Sequence, residues 1–526
     1  MKLMLLNIYS LDTMANYLLS SYVLKSYLTH NYDKGLKVEV LNYSTRMSDE
    51  KICNKIINDK ADTIGFSCYT WNIEKIIRLV NLIRSMTKDI ICIFGGPEIT
   101  ISRISHINNP LNVDYYVIGE GEVKLLHLIT YIQKRRKGCV ADLPNGVARW
   151  DNNNIQYSVN TENIKDLDEI PSIYLNGIIE DRLYAQRQAF IETQRGCRFR
   201  CKYCVYHKNM KSMSYYSLNR VCSELDYLIV KKKITALRVL DAIFTNKIDR
   251  AKKIARHLSE IKSRKDVKLP WIYWEFTYDS IDEEFIKIVS SLRDRKNIAN
   301  NEKIVPGDYP QYYSDMLRDY TVINCVGIQS FSNKVLKAVK RHRVLKSKLD
   351  CFMNLAGTNN IVLKIDLILG LPYETFDTYF DGLEFFIPYF KSTDHMLNIH
   401  RLQILPGSEL EALCNDLGIN YSKYGPHVVY STNSMSEEEL NCASKLTAVL
   451  FRILNSPLRS KFFEAKDRFD KSYYELINYI YTKISSNDVF KSIRLVKERF
   501  VDDDYWGESI FKEIKTRPLT QILEEI

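Results

Sequence analysis

Cysteine is scarce in this chain, with twelve in 526 residues, too few to imply a small disulfide-stapled scaffold. No run of about 20 apolar residues occurs, so no membrane span is expected. The opening "MKLMLLNIYS" has too short an apolar core for a secretory signal and lacks a small-residue cleavage site. The expected compartment is a reducing cytoplasm. Charge of neither sign is concentrated: 74 Lys and Arg against 64 Asp and Glu leave a net +10 that is spread along the sequence. That bias tolerates an acidic ligand or RNA without demanding either, and nucleic acid is not expected as a partner. There is no internal repeat, and no low-complexity tract beyond richness in Lys, Asn and Ile. What is present is an apolar fraction of 45 % with regular patterning nearly to the end, enough for a large core. The length predicts roughly two to four domains.

Residues 1–138 alternate β-rich runs with amphipathic stretches. The runs are "KLMLLNIY", "LKVEVLNY", "DTIGFSCYT", "IICIFGG" and "DYYVIGEGE", and "NIEKIIRLVNLIRSM" between two of them repeats apolar residues at helical spacing. This alternation predicts a doubly wound, Rossmann-like α/β sheet whose ligand lies beyond the carboxyl ends of the strands. The strand ends there are small, polar or Gly-rich: Ser67, Cys68, Tyr69, Thr70 and Trp71; Gly95, Gly96, Pro97 and Glu98; Gly119, Glu120, Gly121 and Glu122. Glycine lets a backbone approach a flat, bulky ligand closely. Residues 139–186 read as a connector containing a hairpin, "GVARWDNNNIQYSVN". Over 187–412 a second series predicts strands at 188–193, 235–241, 270–276, 322–328, 361–367 and 397–404. Helices are predicted at 216–231, 248–262, 282–295, 332–340 and 374–391. Six units suggest a partial (β/α)6 barrel, interrupted by a polar, Tyr-bearing insertion at 296–320. Residues 413–526 are predicted as a helical C-terminal domain.

The most informative stretch is "TQRGCRFRCKYCVYH" (193–207), with Cys197, Cys201 and Cys204 inside eight residues. Structural zinc takes four ligands, usually as two separated pairs; no second pair is near, and His207 follows Cys204 too closely on a compact loop. A redox pair would leave one cysteine unused, and a structural disulfide does not suit a reducing compartment. The remaining reading is an iron–sulfur cluster held by thiolates. A cubane bound by three thiolates leaves one iron open to chelate an amine and a carboxylate. Arg195, Arg198, Arg200 and Lys202 would offset the negative charge, or simply solvate an exposed loop.

The CxxxCxxC spacing after the first barrel strand, with Tyr203 before the third cysteine, resembles the radical S-adenosylmethionine (SAM) superfamily. The resemblance implies a [4Fe–4S] cluster on Cys197, Cys201 and Cys204 that binds SAM and splits it to a 5′-deoxyadenosyl radical. It extends to "LRVLDAIFTNKIDRA", "WIYWEF", "GIQSFSNKVLKAVKRHR", "KIDLILGLPYET" and "RLQILPGSEL". On these segments it implies SAM contacts by Tyr203, Asp241, Asn246, Glu275, Gln329, Ser330 and Arg341.

The domain before the barrel resembles the cobalamin-binding (B12-dependent), class B type of the superfamily, through "IGFSCYTWNI", "IFGGPEIT" and "VDYYVIGEGEVKLLHLI". The resemblance spans roughly residues 1–410 and implies cobalamin contacts by the three strand-end groups named above. The Asp-x-His-x-x-Gly motif that supplies histidine to cobalt in the mutases is absent; His30 and His106 have the wrong contexts, and His127 reads as helix packing. The lower face of cobalt is then left to water or to a residue of "YSLDTM" (9–14). An unligated lower face favours nucleophilic cob(I)alamin and methyl transfer over rearrangement.

The expected function is therefore a cobalamin-dependent radical SAM methyltransferase acting on an unactivated carbon of a small molecule or peptide, with a flavodoxin- or ferredoxin-type electron donor. Ring contraction or rearrangement, polar methyl transfer, a cobalamin-free radical enzyme and a non-enzymatic cofactor sensor are the alternatives. Methylthio transfer to tRNA fits less well, because Cys53 sits in a helical pattern and Cys92 mid-strand, leaving only Cys68 at a strand end.

Overall fold

The structure is a computed structural model that describes residues 1–9, 18–32, 35–106, 113–139, 141–151, 154–158, 163–186, 188–206, 212–293, 322–485, 519, 522–524 and 526. The insertion at 296–320, His207, most of "YSLDTM" and most of the chain after 485 lie outside the described residues.

Two parallel sheets dominate. In the first, β1 (Lys2–Tyr9), β2 (Lys37–Ser44), β3 (Thr63–Ser67), β4 (Ile91–Gly95) and β5 (Tyr115–Val117) run parallel in the order β2-β1-β3-β4-β5. Alternate side chains of β1 divide between two cores, as a strand with two buried faces requires. Met4, Leu6 and Ile8 enter one with α2 (Asp49–Asn58) and α3 (Ile73–Met86). Leu3 and Leu5 enter the other with α1 (Leu19–Asn31) and α5 (Glu122–Arg136). Each such side chain contributes about 1.5–3 kcal/mol by burial. α2 starts where Ser48 accepts a hydrogen bond from the Lys51 N–H, with Asp49 and Glu50 in its first turn. A short α4 (Ile101–His106) follows β4. The hairpin read as part of a connector, β6 (Val147–Asp151) and β7 (Asn154–Tyr157), pairs antiparallel onto β5 and so continues this sheet to seven strands.

The second sheet joins β8 (Gln188–Ile191) to five later strands, while β9 (Gln194–Arg195) and β10 (Ser214–Tyr215) form a small antiparallel pair beside it. The later strands are β11 (Ala236–Val239), β12 (Trp271–Phe276), β13 (Val322–Gln329), β14 (Leu363–Leu369) and β15 (Met396–Arg401), paired in chain order and all parallel. β8 and β15 remain its two edges, so the barrel is partial. Helices α6 (Leu218–Asp226), α7 (Ile248–Ser263), α8 (Glu283–Ser291), α9 (Asn333–Ala338), α10 (Lys346–Thr358) and α11 (Phe376–Phe386) lie between the strands. The sequence reading lacked α10, although Leu349, Phe352, Met353 and Ala356 repeat at helical spacing and are buried.

After the barrel comes an antiparallel pair, β16 (Asn420–Tyr421) with β17 (Val429–Ser431), within the stretch read as helical. The tail then turns helical in α12 (Glu437–Leu454), α13 (Leu458–Arg468) and α14 (Tyr473–Ser485). A capping box between Ser436 and Glu439 opens α12, which packs on β14 and β15. Asn455 donates to the Leu397 carbonyl and accepts from the Leu397 N–H, satisfying the edge of β15. Among the described residues no helix is long and apolar enough to cross a membrane.

One strand end is set by glycine. Gly96 has φ +111°, and a Cβ there would lie 2.5 Å from the Cys68 carbonyl oxygen. Gly96→Ala is expected to destabilise the first domain by at least about 2 kcal/mol, from backbone strain and overpacking, read as a lower urea midpoint.

Candidate functional site

The C-terminal ends of the barrel strands surround a cavity of ≈ 140 Å³ lined by Cys197, Cys201 and Cys204 together with Tyr203, Glu275, Gln329, Arg341 and Asp366, among others. The thiol-bearing loop is held at several points. Gly196, at φ +99°, turns the chain out of β9. The Lys202 N–H donates to the Val339 carbonyl, and the Leu410 N–H donates to the Lys202 carbonyl. Between the last two cysteines, the Cys204 N–H bonds the Cys201 carbonyl, closing a turn. The Tyr206 N–H points at Cys204 Sγ, 3.4 Å away.

Burial pushes the Cys197 thiol up, and that of Cys204 to about 11. Protonated thiols at neutral pH are what a metal must displace protons from. Arg341 supplies the nearby positive charge: Nη1 lies 3.8 Å from Cys201 Sγ, and Nη2 donates to the Gly327 carbonyl at 2.6 Å. Its guanidinium also stacks over the Phe199 ring at 4.8 Å. Among the described residues no three His, Cys, Asp or Glu side chains converge closely enough to hold a single metal ion. Each of the twelve cysteines is a free thiol. A thiol trio spread around one cavity, with a cation against it, suits a polynuclear cluster better than one zinc ion.

The residues named for SAM divide. Tyr203, Glu275, Gln329 and Arg341 line the cavity. Gln329 follows a bulge in β13 and has φ +76°, a conformation that re-aims its side chain; a Cβ at Gly327 would collide with its amide. Burial raises the Glu275 carboxyl, against the pull of Arg238. Three others are not among the residues that line this cavity. Asp241 is buried beneath the loop, where its carboxylate accepts from the Thr193 N–H (2.7 Å), the Thr193 hydroxyl (2.5 Å) and the Gln194 N–H (3.3 Å). Burial still lifts it to about 7. Ser330 donates to Glu374 at 2.7 Å, away from the cavity, and burial pushes Glu374 up to about 8. Asn246 is half-buried outside the lining residues, with no partner for its side-chain amide among the described residues.

The sequence reading missed Asp366 and its surroundings. Asp366 accepts from Asn398 Nδ2 (2.6 Å), has Cys325 Sγ at 2.6 Å and Lys364 Nζ at 3.3 Å, and lies 3.9 Å from His400. Against the effect of burial, the charge of Lys364 and hydrogen bonds from Cys325 and Asn398 hold its carboxyl below the usual range, and burial drives His400 down to about 4. The signal was available: polar residues two apart in apolar strands, Lys364 and Asp366, Asn398 and His400, must share the inner face of a barrel.

On the first sheet, β1 and β3 flank the point where strand order reverses. Asn7, Ser21 and Ser67 meet there: Ser21 Oγ donates to Asn7 Oδ1 at 2.5 Å and lies 3.1 Å from Ser67 Oγ. The Tyr69 and Trp71 rings stack at 4.4 Å, and the Trp71 indole donates to the Ile8 carbonyl. A Cβ on Gly425 would come within 2.5 Å of the Thr70 carbonyl, so the 422–428 loop presses on that segment. Ser67, Thr70, Trp71 and Gly95–Pro97 thus form a polar and aromatic rim at the strand ends, a setting that suits a large amphipathic ring. Cys68 is buried, with Sγ on the Phe66 carbonyl; Cys53 and Cys92 are buried too, so the three do not face a common opening.

The glutamates of this rim have other partners. Glu98 is buried, with Oε2 3.3 Å from His427 Nε2 and 3.8 Å from Arg103. His427 arrives from the segment after the barrel and could not be placed from sequence. Glu120 and Glu122 face Arg195, whose guanidinium reaches Glu122 at 2.8 Å, Glu192 at 2.9 Å and Glu120 at 3.4 Å. Arg195 therefore balances carboxylates rather than cluster charge, whereas Arg198 lies over Phe199 and 3.7 Å from Asp279. His127 lies on α5 as expected but is exposed rather than packed.

A doubly wound sheet with a polar and aromatic strand-end rim packs beside a partial barrel with a thiol trio at its mouth, an arrangement similar to that of the cobalamin-binding radical SAM proteins. The matches to known proteins agree with that class. A family profile for the B12 binding domain matches residues 23–129. The cobalamin-dependent radical SAM methyltransferase TokK of Streptomyces tokunonensis is 23 % identical over 66 % of this chain and 48 % of its own length. The anaerobic magnesium-protoporphyrin IX monomethyl ester cyclase of Rubrivivax gelatinosus is 26 % identical over 35 % of this chain and 34 % of its own. The chain thus spans about half the length of TokK or less of such relatives. In fold it is similar to the cobalamin-dependent SAM radical enzyme OxsB with aqua-cobalamin bound, at TM-score 0.63 and 15 % identity over 100 % of this chain and 80 % of that one. It is also similar to the radical SAM methyltransferase TsrM from Kitasatospora setae, at TM-score 0.59 and 16 % identity over 84 % of each chain.

Replacing Cys201 with Ala is expected to abolish both iron uptake and 5′-deoxyadenosine formation after anaerobic reconstitution. Cys442→Ala, on a tail helix, should leave both intact.

Proposed function

We propose that this chain is a cobalamin-dependent radical SAM methyltransferase that methylates an unactivated carbon of a small molecule or peptide in a reducing cytoplasm, fed by a flavodoxin- or ferredoxin-type donor. The observation that carries the reading is the convergence of Cys197, Cys201, Cys204 and Arg341 on one cavity at the mouth of a parallel barrel, beside a B12-binding domain. When bound, a [4Fe–4S] cluster on the three thiolates, SAM on its open iron and cobalamin on the strand-end rim supply one-electron cleavage of SAM and a methyl carrier.

The chain's own work is placement. Arg341 holds a positive charge against the sulfur loop, and Asp241 fixes the start of that loop by its bonds to Thr193 and Gln194. Glu275 and Gln329 present hydrogen-bonding groups to the ligand in the cavity. Trp271, Tyr273, Ile323 and Met396 form a buried apolar cluster in the barrel. Holding reactants in such a pocket substitutes for much of the entropy a bimolecular step would lose.

A second reading, polar methyl transfer on the same cofactors, is favoured by one feature: the ionised Asp366 faces the cavity beside a neutral His400. A carboxylate at that wall can receive the proton that polar methylation releases, which a radical route does not require.

Anaerobic reconstitution with SAM, reductant and hydroxocobalamin, followed by mass spectrometry against host extracts, separates these. A product heavier by one methylene unit together with stoichiometric 5′-deoxyadenosine is the expected result. The same product without 5′-deoxyadenosine points to the polar route, and no mass gain removes methyl transfer altogether.

A further inference from the structure

Arg195 stands two residues before the first cysteine, yet its side chain turns away from the thiols. It is buried, at 8 % exposure, and all three carboxylates it meets are accounted for by contacts of 2.8–3.4 Å. Glu192 belongs to its own segment. Glu120 and Glu122 belong to the segment after β5 in the first domain, 75 and 73 residues earlier in the chain. Glu122 opens α5, so its backbone is tied to the end of β5 and to the rim. The second oxygen of Glu120 accepts from the Ile164 N–H, which brings the connector into the same junction.

Apolar contact already holds the two units together, since Tyr22, Val23 and Tyr27 of α1 join the core of the barrel. The ion cluster is thus added to an apolar contact that already joins the two units. It sits at the edge where the rim of the first sheet approaches the sulfur loop. An ion pair with fork geometry fixes direction as well as distance, which an apolar face does not.

We propose that Arg195 is a positioning residue. By gripping Glu120 and Glu122 it sets the cobalamin-side loop at one separation from the thiolate loop, so that methyl passage from SAM to cobalt depends on a side chain that lines neither site. This rests on the function proposed above.

The test uses Arg195→Ala, Arg195→Lys and the milder Glu122→Gln in the full chain. In cofactor-free protein, hydrogen–deuterium exchange should rise at 119–125 and 193–200 in Arg195→Ala and Glu122→Gln and stay at the wild-type level in the tail helices. In protein reconstituted with iron, sulfide, cobalamin and SAM, the ratio of methylated cobalamin to 5′-deoxyadenosine should fall by roughly tenfold or more, since displacements of about 1 Å cost up to ~10²-fold. Arg195→Lys should recover part of that ratio, and the cluster's electron paramagnetic resonance signal should persist. Unchanged exchange in both Arg195→Ala and Glu122→Gln overturns the proposal, as does a parallel fall of both products at constant ratio, the mark of a merely structural role. If the wild type itself forms neither product, the functional reading fails instead.

Discussion

Parallel strands are buried on both faces, so chemistry gathers at the ends of the strands and, in a barrel, on its inner face. In this chain that constraint acts twice. The strand side chains of the first sheet are spent on two helix-covered cores, and the outward side chains of the barrel strands on a third. What remains is the loops after β3, β4 and β5, the loops after β8, β12, β13 and β14, and the inner face of the barrel. The thiol trio, the aromatic rim and the buried ion cluster all lie in those loops.

Charge is then arranged by distance from the sulfur atoms. Four basic residues crowd the cysteine loop in sequence, but they do different things. Arg195 is taken by carboxylates of the first domain. Arg198 leans on Phe199 and Asp279, and Lys202 reaches toward Glu409. The cation that meets a sulfur is Arg341, 140 residues beyond Cys201. It is brought there by β13 and α9, with its own grip on the Gly327 carbonyl. Inside the barrel the same economy holds: Asp366 is kept charged by Lys364 and by hydrogen bonds from Cys325 and Asn398, so a carboxylate survives on a surface that would otherwise neutralise it.

The two rows of glutamates show why strand-end motifs mislead when read alone. A Gly-rich turn with an acidic residue is compatible with a ligand contact and with a domain clasp. Only the second chain segment tells them apart, and here it is Arg195 for Glu120 and Glu122, and His427 for Glu98. Asp241 and Ser330 do not line the cavity for a related reason. Each side chain found a backbone or carboxyl partner within its own layer, leaving the cavity to its neighbours Ala242 and Gln329.

Local order was legible from residues 1 to 412 because hydrophobic period and β/α alternation are properties of short windows. The runs that became β1, β12 and β13 are visible as apolar segments bounded by turns, and the CxxxCxxC spacing is a local fact as well. α10 was passed over although its apolar spacing is present. Which inner-face polar residues cluster, which cation reaches the sulfur and which glutamates serve as clasps depend on pairs 32 to 329 residues apart. Such contacts are created when sheets close and domains dock. By itself the sequence determined most of the elements up to the end of the barrel, their order and the donor atoms; tertiary structure alone decided who faces whom, because burial leaves each charged group only the partner that packing brings within reach.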